Sequence, residues 1–343
     1  MEEKIMNQWM KELGPNSDVV VSSRVRLARN VSDLSFTHHA SNEELKQVGS
    51  KVEQLLEEDD HFQLELIGID SLSEFERKML VEKHLISPEH TQTNKHKAVA
   101  LSEDETISLM VNEEDHLRVQ VLLPGLQIEE AWSVADRLDN HIEDQIDIAF
   151  AEEYGYLTAC PTNVGTGLRV SIMVHLPALN MVNRVEKLMS AISQLGLAVR
   201  GLYGEGTETV GNLYQISNQV TLGHSEEEIR ENLLEVTQQI IEQEKNARKL
   251  LLQEQEVSVK NKVYRAHGIL THAYSISIEE AMELISNVRL GIDLGIIKRI
   301  EPTILNQLMV MIRPATLQLT KGQKLSIEER EIYRAELIKE LLD

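Results

Sequence analysis

One cysteine, Cys160, in 343 residues excludes an internal disulfide framework and a zinc site built on cysteines, and it fits a reducing compartment. Positive charge is also scarce. A formal net charge of -22 argues against a non-specific grip on nucleic acid or on an anionic membrane, so neither is expected as a partner. No apolar run has membrane-spanning length, and Met1-Glu2-Glu3-Lys4 lacks the basic and hydrophobic regions of a secretory signal, so a cytoplasmic protein is expected. Two nucleotide-binding signatures are missing as well. No Gly-x-x-x-x-Gly-Lys-Ser/Thr sequence occurs, and the stretch Gly201-Leu202-Tyr203-Gly204-Glu205-Gly206 fails as a dinucleotide fingerprint because its next glycine falls late, at Gly211. There is no repeat, no low-complexity segment and no flexible linker. What remains is 42% apolar and 26% charged, an ordinary composition for a folded chain long enough for two domains and a large core.

Periodicity orders the chain. Ile5, Trp9 and Leu13 predict a helix over residues 1–13, stopped by Gly14-Pro15. In Ser22-Ser23-Arg24-Val25-Arg26-Leu27-Ala28-Arg29-Asn30 the period of two sends Arg24 and Arg26 to one face and Val25 and Leu27 to the other. Helices follow at Ser41–Glu58, behind a capping box, and at Ser73–His84, where His84 either faces a ligand or is a capping or half-buried residue. Two strands, Thr106–Val111 and Leu117–Leu123, are joined by Asn112-Glu113-Glu114-Asp115-His116, whose adjacent acids read as a solvated turn or a metal site. Next come a helix over Ile128–Ile146 with Trp132 and Leu138 inward, a strand Tyr154–Ala159, a strand Arg169–Val174, a helix Ala178–Leu195 closed by Gly196, and a strand Leu197–Arg200. Behind a capping box formed by Ser225 and Glu228, a long helix runs from Ser225 to about Gln255. Beyond it the strand signal disappears. Capping boxes at Ser277/Glu280 and Ser326/Glu329 and the stripe Ala281, Leu284, Ile285, Val288 predict a separate helical domain, giving boundaries of 1–250 and 256–343.

The stretch most suggestive of a site is Cys160-Pro161-Thr162-Asn163-Val164-Gly165-Thr166-Gly167-Leu168-Arg169, where Pro161 fixes the entry and the glycines allow amides to face an anion. An ordinary turn with a surface arginine is the competing reading. Five arginines at strand or loop positions (Arg24, Arg26, Arg118, Arg169, Arg200) and two loop glutamates (Glu114, Glu205) suit phosphoryl transfer. Guanidinium forks neutralise a polyphosphate bidentately, while magnesium bridges phosphates and keeps mostly water ligands. The carboxylates point to an acceptor that must lose a proton as it attacks, as a guanidine must.

Ser22-Ser23-Arg24-Val25-Arg26, Asn112-Glu113-Glu114-Asp115-His116 and Cys160-Pro161-Thr162-Asn163-Val164-Gly165-Thr166-Gly167 resemble, in order, the motifs of the phosphagen (guanidino) kinase catalytic domain. The resemblance implies an α+β fold, with an antiparallel sheet flanked by helices, followed here by an all-helical C-terminal domain. Small-guanidine members carry a helical domain ahead of the first motif, whereas here that motif begins at Ser22, an arrangement similar to the bacterial protein arginine kinases. By matching motif, the resemblance implies ATP contacts at Ser22, Ser23, Arg24, Val25, Arg26, His84, Arg118, Arg169, Val170, Ser171, Ile172, Met173, Arg200, Gly201, Leu202, Tyr203, Gly204 and Glu205. It makes Glu114 the catalytic carboxylate, Glu205 the second acid on the target guanidinium, and Cys160 a residue tuning the site rather than a covalent nucleophile.

Arg330-Glu331-Ile332-Tyr333-Arg334-Ala335 matches a phosphoarginine-pocket motif of the same kinases, with Glu331 where they carry Asp. Arg330 and Arg334, at i and i+4, share a helix face suited to a phosphate. The implied cofactors are ATP and Mg2+, with no metal held by the protein itself. The implied partners are proteins bearing exposed arginines, a zinc-binding activator, a heat-shock repressor, a chaperone-protease and a second copy of the chain. A kinase for a small free guanidine and a non-catalytic phosphoarginine-binding adaptor are the alternatives.

Overall fold

The computed structural model describes residues 6–59, 61–93, 96–203 and 209–342. Among the described residues ten strands are formed: β1 (Val20–Arg29), β2 (Glu65–Gly68), β3 (Ala98–Leu101), β4 (Ile107–Val111), β5 (Leu117–Pro124), β6 (Phe150–Ala151), β7 (Gly155–Tyr156), β8 (Leu168–His175), β9 (Leu197–Tyr203) and β10 (Thr209–Asn218). Eight of them build one antiparallel sheet in the order β2-β3-β4-β5-β1-β8-β10-β9, and β6 and β7 pair separately. The arginine-bearing β1 therefore lies at the sheet's centre.

The described residues also form twelve α-helices around it: α1 (Gln8–Lys11), α2 (Asn42–Glu57), α3 (Glu74–Glu82), α4 (Ile128–Glu143), α5 (Pro177–Met181), α6 (Val185–Gln194), α7 (Glu226–Glu254), α8 (Glu256–His272), α9 (Ile278–Asp293), α10 (Pro302–Met311), α11 (Pro314–Lys321) and α12 (Ile327–Leu342). The sheet's alternation divides them. Val25, Leu27, Val119, Val121, Val170 and Ile172 face α2, α4 and α7 in the largest apolar core. On the other face Leu122, Met173 and Leu213 meet α1, α9, α10 and α12 in a second core, and Met110 and Val99 meet α3 in a third. The C-terminal helices thus share a core with the sheet, and between them and α3 the arginine face stays open.

Three elements are shorter than the periodicity predicts. Among the described residues the expected first helix is the single turn α1, with Trp9 and Met10 buried, Leu13 exposed and Glu12 already extended, while Ile5 lies outside the described residues. One turn has too little hydrogen bonding to persist without such packing. The expected strand at Tyr154–Ala159 shrinks to Gly155–Tyr156, because the Leu157 carbonyl accepts from Asn30 Nδ2 and the Ala159 amide donates to Asp115 Oδ1. Side chains take the place of a neighbouring strand. The helix over Ala178–Leu195 breaks into α5 and α6 at Asn183, which has φ 54°. Trp132, expected inward on α4, is half-buried, with the Arg230 guanidinium over its ring.

Candidate active site

Register brings the predicted arginines together. Arg26 on β1 sits directly opposite Arg169 on β8 and Gln120 on β5, and Arg24 sits opposite Ser171 and Leu122. Residues opposite one another share a face, and so do alternate residues along a strand, which carries Arg118 to the same side through Gln120. Arg24 Nη2 donates to Gln215 Oε1 at 2.8 Å and its Nε to Ser171 Oγ at 3.3 Å, and Gln215 is opposite Arg200 on β9. All five guanidinium groups therefore occupy one face of one sheet. Like charges directly opposite repel, so Arg26 beside Arg169 is unfavourable without an anion between them. Arg26 Nε is buried with no hydrogen-bond partner among the described residues. Burial, then repulsion by Arg24, Arg118 and Arg169, pushes the Arg26 guanidinium well below its usual pKa; burial with Arg118 and Arg200 also lowers Arg169.

A cavity of about 1080 Å³ opens on this face, lined by Arg24, Arg26, Arg118 and Arg200 on the sheet, Glu114 on the β4–β5 hairpin, and His84 after α3. His84 is fixed in a left-handed conformation, φ 63°, with its carbonyl accepting from Gln120 Nε2 at 2.8 Å and its ring 5.9 Å from that of Trp9. Burial, with Arg24 and Arg313 nearby, lowers the imidazole to about 3, so it is neutral at physiological pH. Arg313 and Pro314, where α11 starts, also line the cavity. Neither was legible in the sequence as a site residue.

The hairpin's three acids do three different things. Glu113 accepts from Ser87 Oγ at 2.6 Å and from Arg118 Nη1 at 2.7 Å. Despite its burial, Arg118 and Ser87 hold Glu113 at about 2, so it is ionised and orients Arg118. Asp115 turns inward to Asn30 Nδ2 and the Ala159 amide. Glu113 and Glu114 both line the cavity, Glu114 is the more exposed of the two, and burial with the adjacent charges of Asp115 and Glu113 raises the pKa of Glu114. His116 accepts from the Val31 amide through Nδ1 and reaches the Ser35 carbonyl through Nε2. Neither a solvated turn nor a metal cage describes this hairpin, and among the described residues no three His, Cys, Asp or Glu groups are placed to hold a metal. A magnesium ion liganded by phosphate and water fits such a lining without a protein cage.

The Cys160 loop differs from expectation in where its amides point. Those of Gly165 and Thr166 donate to the carbonyls of Tyr156 and Thr221, so they do not face an anion. Gly165 (φ 112°) and Gly167 (φ 64°) serve close packing instead: a Cβ on Gly165 would lie 2.4 Å from the Thr221 oxygen, and one on Gly167 would lie 2.7 Å from the Ala28 oxygen. The loop supports Arg169, whose Nη2 donates to Asn163 Oδ1 at 3.3 Å. Cys160 Sγ is 3.0 Å from Thr162 Oγ1, and the thiol lies close enough to Arg169 for the two to interact electrostatically. Beneath the loop, buried Arg29 pairs with Asp139 at 2.6 Å, donates to the Thr166 carbonyl, and stacks 3.4 Å from the centre of the Tyr156 ring. Its signal was available: Arg29 occupies an inward position of β1, in step with Val25 and Leu27.

Ser22, Ser23 and Val25 flank the arginines on β1, and Val170, Ser171, Ile172 and Met173 follow Arg169 on β8, all buried. Gly201, Leu202 and Tyr203 end β9, while Gly204 and Glu205 lie outside the described residues. The residues Arg330 to Ala335 stand on α12, away from the cavity lining. Arg334 is buried and donates through Nε to the Ile312 carbonyl at 3.0 Å and through Nη1 to the Ile276 carbonyl at 2.8 Å. Arg330, Glu331, Ile332 and Tyr333 are half-buried, with Lys321 over the Tyr333 ring, and Ala335 is buried in the second core.

Residues 46–247 match the ATP:guanido phosphotransferase C-terminal catalytic domain, and residues 256–343 match the C-terminal domain of the protein-arginine kinase McsB. A protein-arginine kinase of Halothermothrix orenii is 54% identical over 340 residues, covering 99% of this chain and 97% of its own. One from Halalkalibacterium halodurans is 50% identical, covering 97% and 94%. Among solved structures, the chain is similar to a lombricine kinase (TM-score 0.60, 24% identity, 69% of this chain and 70% of that one). It is also similar to the duplicated taurocyamine kinase of Schistosoma mansoni with bound transition state analog components (TM-score 0.62, 25% identity, 72% of this chain and 36% of that one). The antiparallel sheet with its row of arginines, the matches to both segments and the near full-length relatives agree: the chain belongs to the ATP:guanido phosphotransferase family, in its protein-arginine kinase branch.

Proposed function

We propose that this protein transfers the γ-phosphate of ATP to arginine side chains of proteins. The observation that carries the reading is the set of five guanidinium groups on one sheet face beside a cavity that also exposes Glu114. In the proposed reaction Arg24, Arg26, Arg118, Arg169 and Arg200 neutralise the triphosphate, with magnesium arriving on the nucleotide. A guanidine nitrogen of the acceptor attacks the γ-phosphorus, the bond to the ADP oxygen breaks, and the nitrogen's proton passes to Glu114. A carboxylate with a raised pKa suits that transfer. Glu205 is proposed to hold the acceptor's guanidinium, and Cys160 to tune the electrostatics around it.

Several finer assignments belong to the same proposal. Residues 1–250 form the catalytic part and 256–343 a helical part whose Arg330, Glu331 and Arg334 bind phosphoarginine and regulate the kinase. The kinase marks proteins for a chaperone-protease and relieves a heat-shock repressor, with a zinc-binding activator and a second copy of the chain as partners. No described helix is long and apolar enough to cross a membrane. The test is an incubation with ATP, magnesium and a casein-like protein together with free arginine. Acid-labile phosphate on the protein supports the reading. Phosphate on free arginine alone would make the chain a small-guanidine kinase, and none on either, a binding protein.

A further inference from the structure

The C-terminal helices reach the cavity at one junction. Arg313 is the residue before α11, extended at φ -73° and ψ 152°, and Pro314 begins the helix; both line the cavity. The junction is held from the catalytic side. Glu82, the last residue of α3, accepts from the Ala315 amide at 2.9 Å, and from the Thr316 amide and hydroxyl at 2.8 and 2.7 Å. A carboxylate on the first turn satisfies amides that the helix itself cannot, so Glu82 fixes where α11 starts and where Arg313 projects. The two residues after Glu82 lead to His84, so one short segment sets both the imidazole and the arginine.

Strand register gives the groups an order along the cavity. Glu114 precedes β5, along which Arg118, Gln120 and Leu122 follow in turn; Arg26 is opposite Gln120 and Arg169, and Arg24 is opposite Leu122 and Ser171. Arg24, His84 and Leu122 meet around one small cavity, and Arg313 is near enough to His84 to act on it electrostatically. From the carboxylate outward the order is Glu114, Arg118, Arg26 with Arg169, Arg24 with His84, and then Arg313. If the transferred phosphoryl group lies at the Glu114 end, the far end receives what the triphosphate is attached to. We infer that Arg313 contacts the nucleoside end of ATP, so that the C-terminal helices supply part of the nucleotide site. This rests on the reading of the cavity as the ATP site. A contact remote from the reacting phosphorus is equally strong in the ground state and the transition state, so it governs nucleotide affinity and leaves the chemical step alone.

The test compares ATP with inorganic tripolyphosphate, which has the phosphates and lacks the nucleoside, using the full chain with Arg313→Ala and Arg313→Gln. The glutamine variant retains a side-chain N–H for the Met309 carbonyl, to which Arg313 Nε donates at 3.2 Å, and it carries the test if the alanine variant fails to fold. Expected is a roughly 5- to 20-fold rise in Kd and KM for ATP, kcat within about twofold, and tripolyphosphate affinity within about twofold of the unsubstituted chain. Unchanged ATP affinity overturns the inference, as does an equal loss for tripolyphosphate, or a rise confined to the KM of the protein substrate. Failure of the unsubstituted chain to bind ATP would instead overturn the functional reading beneath it.

Discussion

Glu114 and Glu113 are neighbours with opposite surroundings, and that difference separates their roles. Arg118 and Ser87 keep Glu113 ionised at about 2, whereas burial and two adjacent acids raise Glu114. Replacing Glu114 by Gln should lower kcat by about two or more orders of magnitude with ATP affinity within about twofold, read by steady-state kinetics alongside nucleotide titration. A parallel loss of ATP affinity would make Glu114 part of the nucleotide cradle instead. Cys160 makes a milder case. Its Sγ lies against Thr162 Oγ1 and near Arg169, a position for adjusting charge. Cys160→Ser should retain activity within about tenfold, whereas loss of about a thousandfold would indicate covalent participation.

At the scale of elements, the loop bearing Cys160 is held by what lies under β1 and α4. Arg29 and Asp139 are buried together, and breaking such a pair leaves a charge without compensation. Arg29→Met should cost about 3–5 kcal/mol in denaturant unfolding, and the double variant with Asp139→Leu should recover part of that loss. No recovery would mean that the contacts to Tyr156 and Thr166, rather than the ion pair, carry the effect. A second buried network joins α7 and α9, where Arg248 meets Glu244, Asp18 and Asp293. Burial raises Asp293 to about 6 against the pull of Arg289 and Arg248. A raised acid favours folding when protonated, so its contribution is fully present below about 4 and lost as pH rises through about 6. Unfolding free energies should therefore fall across that window relative to Asp293→Asn, by up to roughly 3 kcal/mol. Parallel curves would mean that Asp293 titrates normally.

Across the whole molecule, the sequence was legible where one period or one cap decided the outcome. The alternation in β1 and β5 put Arg24, Arg26 and Arg118 on the side opposite Val25 and Val119, and the capping box at Ser225/Glu228 opened α7. Where tertiary partners replaced local ones, it was less so. Asp115 and Asn30 took the hydrogen bonds of a strand from residues 157 and 159, and Asn183 divided a helix that periodicity alone carries through. The joining of α11 to α3 through Glu82 lies more than two hundred residues apart in the chain, beyond the reach of any local pattern.

The central claim is that the arginine face holds ATP while Glu114 prepares a protein arginine for attack. Its most direct test is a single-turnover reaction with γ-labelled ATP and magnesium on a casein-like protein, followed by acid treatment of the product. The account predicts label on the protein that acid removes, reduced by a hundredfold or more in Glu114→Gln and accompanied by weakened ATP binding in Arg169→Ala and Arg200→Ala. Acid-stable label on the protein, or equal transfer by Glu114→Gln, would contradict it.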